Sequence, residues 1–269
     1  MKELSKAFGA LSSSFDLRDY KLVATAGDYP EAFELPLVPV KDQGTVGSCV
    51  AHAASTIIEY HHKRQHGESV SFSTEFIYGL RDFGYYVGEG MSIRNALNTL
   101  RKYGDVTTEE LPGNNKCPVA MENVDAKYFE LVGKAYANRI SAYFRVKDEM
   151  AVKNALMNHG YVIVSMKWYE NVTLPGFVYT PGSDKAIGSH AIVIYGWNKK
   201  GWLCQNSWGT HFGNKGRFII PFGFKFNEMW GITDEITEDI VRPKVNKFTE
   251  FFYKIYNKII NFLIECGLL

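Results

Sequence analysis

Gly160 divides this chain into two textures, and that division limits its fold more than any other feature. Before it, apolar residues recur at helical spacing in four windows: Ser48 to about Arg64, a short stretch that Ser73 can cap, Ser92 to Tyr103, and Lys147 to Asn158. After it come short β-branched and aromatic runs, Tyr161–Ser165, Ser189–Trp197, Trp202–Gln205 and Gly216–Ile220, separated by Gly, Pro, Asn and Lys turns. The first 47 residues read as extended chain, because Pro30, Pro36 and Pro39 break any helix there. Helices followed by strands predict an α+β fold, and 269 residues suffice for two lobes around a cleft.

Charge removes several classes of function. Thirty Lys and Arg against 29 Asp and Glu leave +1, so no whole-protein field favours a polyanion, and nucleic acid is not the expected partner. The longest stretch without Asp, Glu, Lys or Arg, Gln43 to Ile58, is shorter than the roughly 18 residues a spanning helix needs. Ala7 to Leu11 is too short for a secretory h-region. Four cysteines, Cys49, Cys117, Cys204 and Cys266, are too sparse for a disulfide scaffold. The expectation is a reducing, cytoplasmic compartment, or a virion or host cytoplasm for a viral protein.

The sharpest chemical signal is Gln43-Gly-Thr-Val-Gly-Ser-Cys49, a glycine-bearing loop that ends in a thiol at a helix start. Unpaired backbone N–H groups there stabilise a thiolate, and they can also hold a developing oxyanion. Gln43 can add an amide donor. A nucleophilic thiol needs a base, and His190 stands out among seven histidines because it leads the apolar run to Trp197. The base needs an orienting acceptor, which Asn206 offers at the end of the neighbouring strand. Each residue also has a plainer reading: Cys49 as a small core residue, His190 as a satisfied core histidine, Asn206 as a turn residue, Gln43 as a loop tie. Their combination favours chemistry. His61, His62 and His66 with Glu59 read as a solvated helix end rather than a metal cluster.

At these residues the chain resembles the papain-like cysteine peptidases, through Val40-Lys-Asp-Gln-Gly44, Gly47-Ser-Cys49, Ser189-His-Ala191, Tyr195-Gly-Trp197, Asn206-Ser-Trp-Gly209, Phe212-Gly213 and Gly216-Arg-Phe218. The resemblance implies a two-lobed fold, a helical lobe beside a β-barrel-like lobe, with the site in the cleft. It implies Cys49 as nucleophile, His190 as base and acid, Asn206 as its orienter, Gln43 as oxyanion donor, and Trp208 shielding the His–Asn pair. Glu89 and Gly90 are similar to the family's glycine pair along the substrate backbone, with one glycine replaced. Gly188 and Ala191 flank the Ser189-His190 pair and suggest a roomy substrate pocket. The implied reaction is endopeptidase hydrolysis of proteins or peptides through an acyl-enzyme, without metal or cofactor. An exopeptidase or amidase with a partly blocked cleft, or an inactive binding relative, remains open.

Val46 and Val50 replace a cysteine and a tryptophan of the secreted enzymes, so their disulfides are not expected, and the pattern is nearer to the disulfide-poor viral and bacterial members. Phe15-Asp-Leu-Arg18 resembles the family's N-terminal segment, with an insertion after it. Residues 1–245 are thus expected to form the peptidase domain, with a short extension over 1–13. Residues 246–269 read as an amphipathic helix, docked on the domain or turned to a membrane or partner.

Overall fold

The computed structural model describes residues 8–14, 16–17, 19–23, 27–81, 89–113, 127–234, 240–241 and 255. The predicted tail helix, apart from Ile255, lies outside the described residues, as do Phe15, Arg18, Cys117 and Cys266.

The organising element is helix α1, Cys49–His66, which is buried from Cys49 through His61. Small residues make this possible: Ala51, Ala53, Ala54 and Ser55 let neighbouring elements approach on every side, the pattern of a helix inside a core. Gly67 ends it in the left-handed conformation (φ 75°), donating its N–H to the Lys63 carbonyl. Helices α2 (Thr74–Gly79) and α3 (Ile93–Lys102) pack beside α1; the Ser73 hydroxyl caps α2 as expected, and the Ser92 hydroxyl caps α3. Helix α4 (Tyr128–Ala135), absent from the sequence reading, closes a small second core of Phe76, Leu80, Val106, Leu111 and Leu131. Helix α5 (Glu149–Asn158) is capped by the Asp148 carboxylate.

The strands form one nine-stranded sheet. In chain order they are β2 (Tyr20–Leu22), β3 (Phe33–Glu34), β5 (Ala142–Val146), β6 (Val162–Tyr169), β7 (Ala186–Asn198), β8 (Gly201–Gln205), β9 (Arg217–Ile220), β10 (Glu228–Thr233) and β11 (Ile240–Val241). Their order across the sheet is β11-β2-β5-β10-β6-β7-β8-β9, with β3 on β7, and among the described residues only its β2–β5 pair is parallel. Two further strands, β1 (Ala10–Leu11) and β4 (Met91–Ser92), pair in parallel apart from this sheet. The main core lies where α1 crosses β6 and β7, with Trp197, Trp202, Trp230, Phe144 and Tyr161 fully enclosed. The N-terminus of α1 therefore faces the β-lobe across the cleft, which places Cys49 against β7.

One sequence expectation changes here. The end of α1 is not a fully solvated histidine cluster: Glu59 is buried and paired with Lys41 (2.7 Å), and buried His61 faces Asp234 (3.3 Å). Only His66 of the three histidines is exposed.

Candidate active site

The loop before α1 is held so that its backbone faces the thiol. The Asp42 carboxylate accepts from Gly44 N–H (3.0 Å), and Gly44 takes the left-handed conformation (φ 59°). Ser48, the residue before the helix, makes no side-chain cap, and the first turn carries no acid. The leading N–H groups of α1 are thus left for the sulfur, and those of Cys49 and Val50 both act on it. The sequence predicts a lowered thiol pKa. In the structure burial dominates and pushes the Cys49 thiol up to about 11, against smaller lowering by the backbone N–H groups of Ala191, Gly9, Val50 and Cys49.

His190 lies within β7, four residues after its start, where burial along the strand passes from exposed to complete. Its Nε2 is 2.7 Å from Asn206 Oδ1, and the same Oδ1 accepts from Ser207 N–H (2.8 Å). An oxygen that accepts from a backbone amide is an acceptor for the ring as well, so Nε2 carries the proton and Nδ1 is the basic nitrogen. Antiparallel register, with Val193 opposite Gln205, brings the two residues together across β7 and β8. Ala191, directly after His190, touches the Cys49 sulfur through its N–H. The Trp208 ring lies 4.5 Å from that of His190, tilted 30°, and Trp168 closes on both at 4.6 and 5.6 Å. The His–Asn bond is therefore screened from water.

Gln43 is fully buried and its amide is fixed at both ends. Nε2 donates to the Val46 carbonyl (2.8 Å), and Oε1 accepts from the Ser207 hydroxyl (2.6 Å). Backbone bonds continue the lacing, Gln43 N–H to Ser207 O (2.8 Å) and Gly209 N–H to Lys41 O (3.0 Å). The loop that carries Gln43 and the loop that carries Asn206 are thus one bonded unit.

The cleft is occupied. Phe8 packs edge-on against His190 (6.1 Å) and Trp208 (6.2 Å), and it fills the space beside Gly188, where an added Cβ would lie 2.4 Å from the Phe8 ring. Gly9 wedges between Gly47 and Gly90: a Cβ on Gly9 would sit 1.7 Å from the Gly47 carbonyl oxygen, and one on Gly90 would sit 2.8 Å from the Gly9 carbonyl. That carbonyl accepts from Met91 N–H (2.9 Å), and the chain continues as β1 along β4. Cys49 and His190 are consequently inaccessible. The structure thus brings Gly90, Gly188, Ala191 and Trp208 around the cleft, while Glu89 stands exposed on its wall, accepting from Gly47 N–H (2.9 Å).

Phe8, Gly9 and Ser207 are the site residues the sequence reading missed. Ser207 was within reach, since it sits inside Asn206-Ser-Trp-Gly209; Phe8 and Gly9 carry no periodic or motif signal.

Comparison with known proteins bears on the family and the fold. The model of the papain family cysteine protease matches residues 25–239. Over 225 residues the chain is 27% identical to an uncharacterised peptidase C1-like protein of Acanthamoeba polyphaga mimivirus, covering 77% of this chain and 72% of that protein. It is 26% identical over 195 residues to cathepsin K of Mus musculus, covering 68% of this chain and 56% of cathepsin K, so it spans little more than half of that relative. Xylellain, a cysteine protease from Xylella fastidiosa, superposes with a TM-score of 0.75 over 88% of this chain and 99% of its own, at 22% identity, a likeness of fold.

Proposed function

Because this chain belongs to the papain family of cysteine proteases, we propose that it is a cysteine endopeptidase held latent by its own residues 8–11. The observation that carries the reading is the His190–Asn206 bond next to Cys49, whose sulfur meets the N–H of Ala191, the residue after His190, with Gln43 locked nearby. Once the cleft is open, His190 Nδ1 takes the Cys49 proton and the thiolate attacks the scissile carbonyl carbon. The resulting oxyanion is held by Cys49 N–H and a Gln43 Nε2–H. Collapse breaks the C–N bond, and His190 returns the proton to the leaving amine. A water, deprotonated by His190, then releases the acyl group and regenerates the thiol. Asn206 keeps the ring in its tautomer, and Trp208 protects that bond.

Latency follows from polarity. The leaving amine must lie on the His190 side, so the acyl half of a substrate lies toward Gly90 and Met91, and a productive chain runs from Met91 toward Trp208. Residues 8–11 run the opposite way, from Trp208 to Met91, and Gly9 turns its N–H rather than its carbonyl carbon to the sulfur. The segment blocks without presenting a bond to cut. It covers both the acyl and the leaving side of Cys49, whereas an exopeptidase or amidase would be closed on one side only.

The test uses the full chain carrying Phe8→Ala and Gly9→Val, which removes the anchor and places a side chain where the Gly47 carbonyl stands. Hydrolysis of internally quenched peptides and labelling of Cys49 by a cysteine-directed epoxide are expected, and Cys49→Ala on this background abolishes both. Hydrolysis that survives Cys49→Ala would sink the mechanism.

A further inference from the structure

We infer that a cavity of about 440 Å³ between β3, β7, β8 and β9 binds an aromatic amino acid, a ring carried beside one ammonium and one carboxylate. The residues that line it, Phe33, Glu34, Tyr195, Trp197, Arg217 and Phe218 among them, include none of those around the cleft. The site is therefore separate from Cys49 and stands whether or not the cleft is catalytic. Its volume falls in the range of pockets that enclose small ligands, roughly 300–1,000 Å³. Its walls are aromatic: Phe33 stacks on Trp197 at 5.0 Å, and Phe218 is buried.

Three polar groups of the lining are left without a partner of their own chemistry. Tyr195 is only 6% exposed, yet its hydroxyl makes no hydrogen bond among the described residues, where a buried phenol usually finds one. Arg217 donates to neutral acceptors alone, through Nη2 to the Val38 carbonyl (2.9 Å) and Gln205 Oε1 (3.0 Å) and through Nη1 to the Lys215 carbonyl (3.5 Å), so no carboxylate answers its charge. Glu34 is exposed and in no ion pair among the described residues. Both charges act on the Tyr195 hydroxyl: burial raises its pKa most, Glu34 raises it further and Arg217 lowers it. A lone anion is drawn to Arg217 and repelled by Glu34, and a lone cation the reverse. A molecule with both ends meets each charge with its opposite, and its carboxylate gives the Tyr195 hydroxyl an acceptor.

Phe177 is the independent sign of a ligand. It lines the same cavity with a positive φ of 64°, directly after Gly176 at 56°, in a region that a bulky side chain rarely adopts. The turn is pinned by Phe177 N–H to the Leu174 carbonyl (3.0 Å) and Val178 N–H to the Pro175 carbonyl (3.0 Å). The ring held there is nevertheless 45% exposed and meets no other ring among the described residues. Backbone strain that presents an exposed ring does nothing for the core; a planar ligand over which that ring closes accounts for it.

The experiment titrates the full native chain, its cleft still filled, with L-tryptophan, indole-3-propionate and tryptamine, the same ring with both charges or only one, and follows binding by calorimetry. L-Tryptophan is expected to bind with a Kd on the order of 1 mM, roughly threefold tighter than either analogue. Tyr195→Phe keeps the packing and weakens this binding roughly fivefold, and Glu34→Gln removes the advantage over indole-3-propionate. Phe177→Asn, whose side chain tolerates the left-handed region, raises Tm by roughly 2 °C and weakens binding roughly fivefold. No saturable binding of L-tryptophan overturns the site, and so does an affinity that all three variants leave unchanged. Equal affinity for the three ligands overturns the charge assignment. Binding that appears only once Phe8→Ala and Gly9→Val have opened the cleft places the ligand at Cys49 and overturns the separate site.

Discussion

In the occupied cleft the Cys49 thiol keeps its proton at neutral pH, because burial outweighs the N–H groups aimed at the sulfur and holds its pKa at about 11. Alkylation of Cys49 by iodoacetamide should therefore be slow at pH 7–9 and rise with a midpoint near 11; removal of the Phe8 anchor should move that midpoint down by more than one unit. A midpoint unchanged by the variant would mean that residues 8–11 do not set the thiol's environment. The sign for stability is the same as for any acid raised by folding. The contribution is fully present below the unfolded value of 9.0 and is lost as pH climbs through the folded one. His52, one turn further along α1, works at the other end of the scale. Its ring is buried and burial lowers its pKa from 6.5 to about 4, while Nδ1 donates to the Ser48 carbonyl at 3.0 Å. Between those values the unfolded chain binds a proton that the folded one does not, so stability falls as pH falls. The loss is about 3 kcal/mol by pH 4 at roughly 1.4 kcal/mol per unit. Urea unfolding at pH 7 and pH 4 should show this loss in the native chain and not in His52→Asn, whose amide nitrogen stands in for Nδ1 and cannot titrate. Equal losses in both would dispose of it.

Among the elements, those with a period or a cap were legible and those without were not. Helix α1 announced itself by Val50, Ala54, Ile57 and Ile58, α2 by the serine that caps it, and α3 by the apolar face of Ile93, Ala96, Leu97 and Leu100. The apolar run of β7 also marked His190, although the strand begins earlier, at Ala186, because exposed Ile187 and half-buried Gly188 do not read as core. By contrast β1 and β4 are two residues each, too short for alternation, and their pairing spans some eighty residues of chain. The same holds for the occlusion: Phe8 and Gly9 gain meaning only from Trp208, Gly47 and Gly90, which folding brings to them. A glycine in close backbone contact is nevertheless a sharp handle. Gly9→Val alone should raise peptide hydrolysis by the full chain at least tenfold, since a branched side chain at 1.7 Å from a carbonyl oxygen must expel the segment. Phe8→Ala alone should do less, because it removes packing without creating a clash. No gain from Gly9→Val would show that the segment is not what limits access.

For the molecule as a whole, the residues that follow the occluding segment fasten its two lobes to each other. Asp19 is buried and accepts from Arg94 of α3, in the helical lobe, and from Arg145 of β5, in the sheet, at 2.8 Å. Arg94 also grips the Ser14 carbonyl, its backbone N–H meets the Ser13 hydroxyl (3.2 Å), and Ser13 N–H reaches Glu228 of β10 (3.1 Å). Ser13, Ser14 and Asp19 therefore strap the lobes together, and residues 8–11 hang from them into the cleft. Removing the shared carboxylate leaves two guanidinium groups facing each other. Asp19→Ala should cost roughly 3 kcal/mol, the low end of what a broken buried pair loses, because Arg145 is 26% exposed and partly hydrated. It should also loosen the segment and raise basal hydrolysis. The two effects separate in a double-mutant cycle with Gly9→Val. If the strap acts on activity only by holding the segment, Asp19→Ala adds nothing to hydrolysis once Gly9→Val has expelled it, while the loss of stability persists in both backgrounds. Activity gains that multiply would instead mean that the strap sets the cleft between the lobes directly, independently of what fills it.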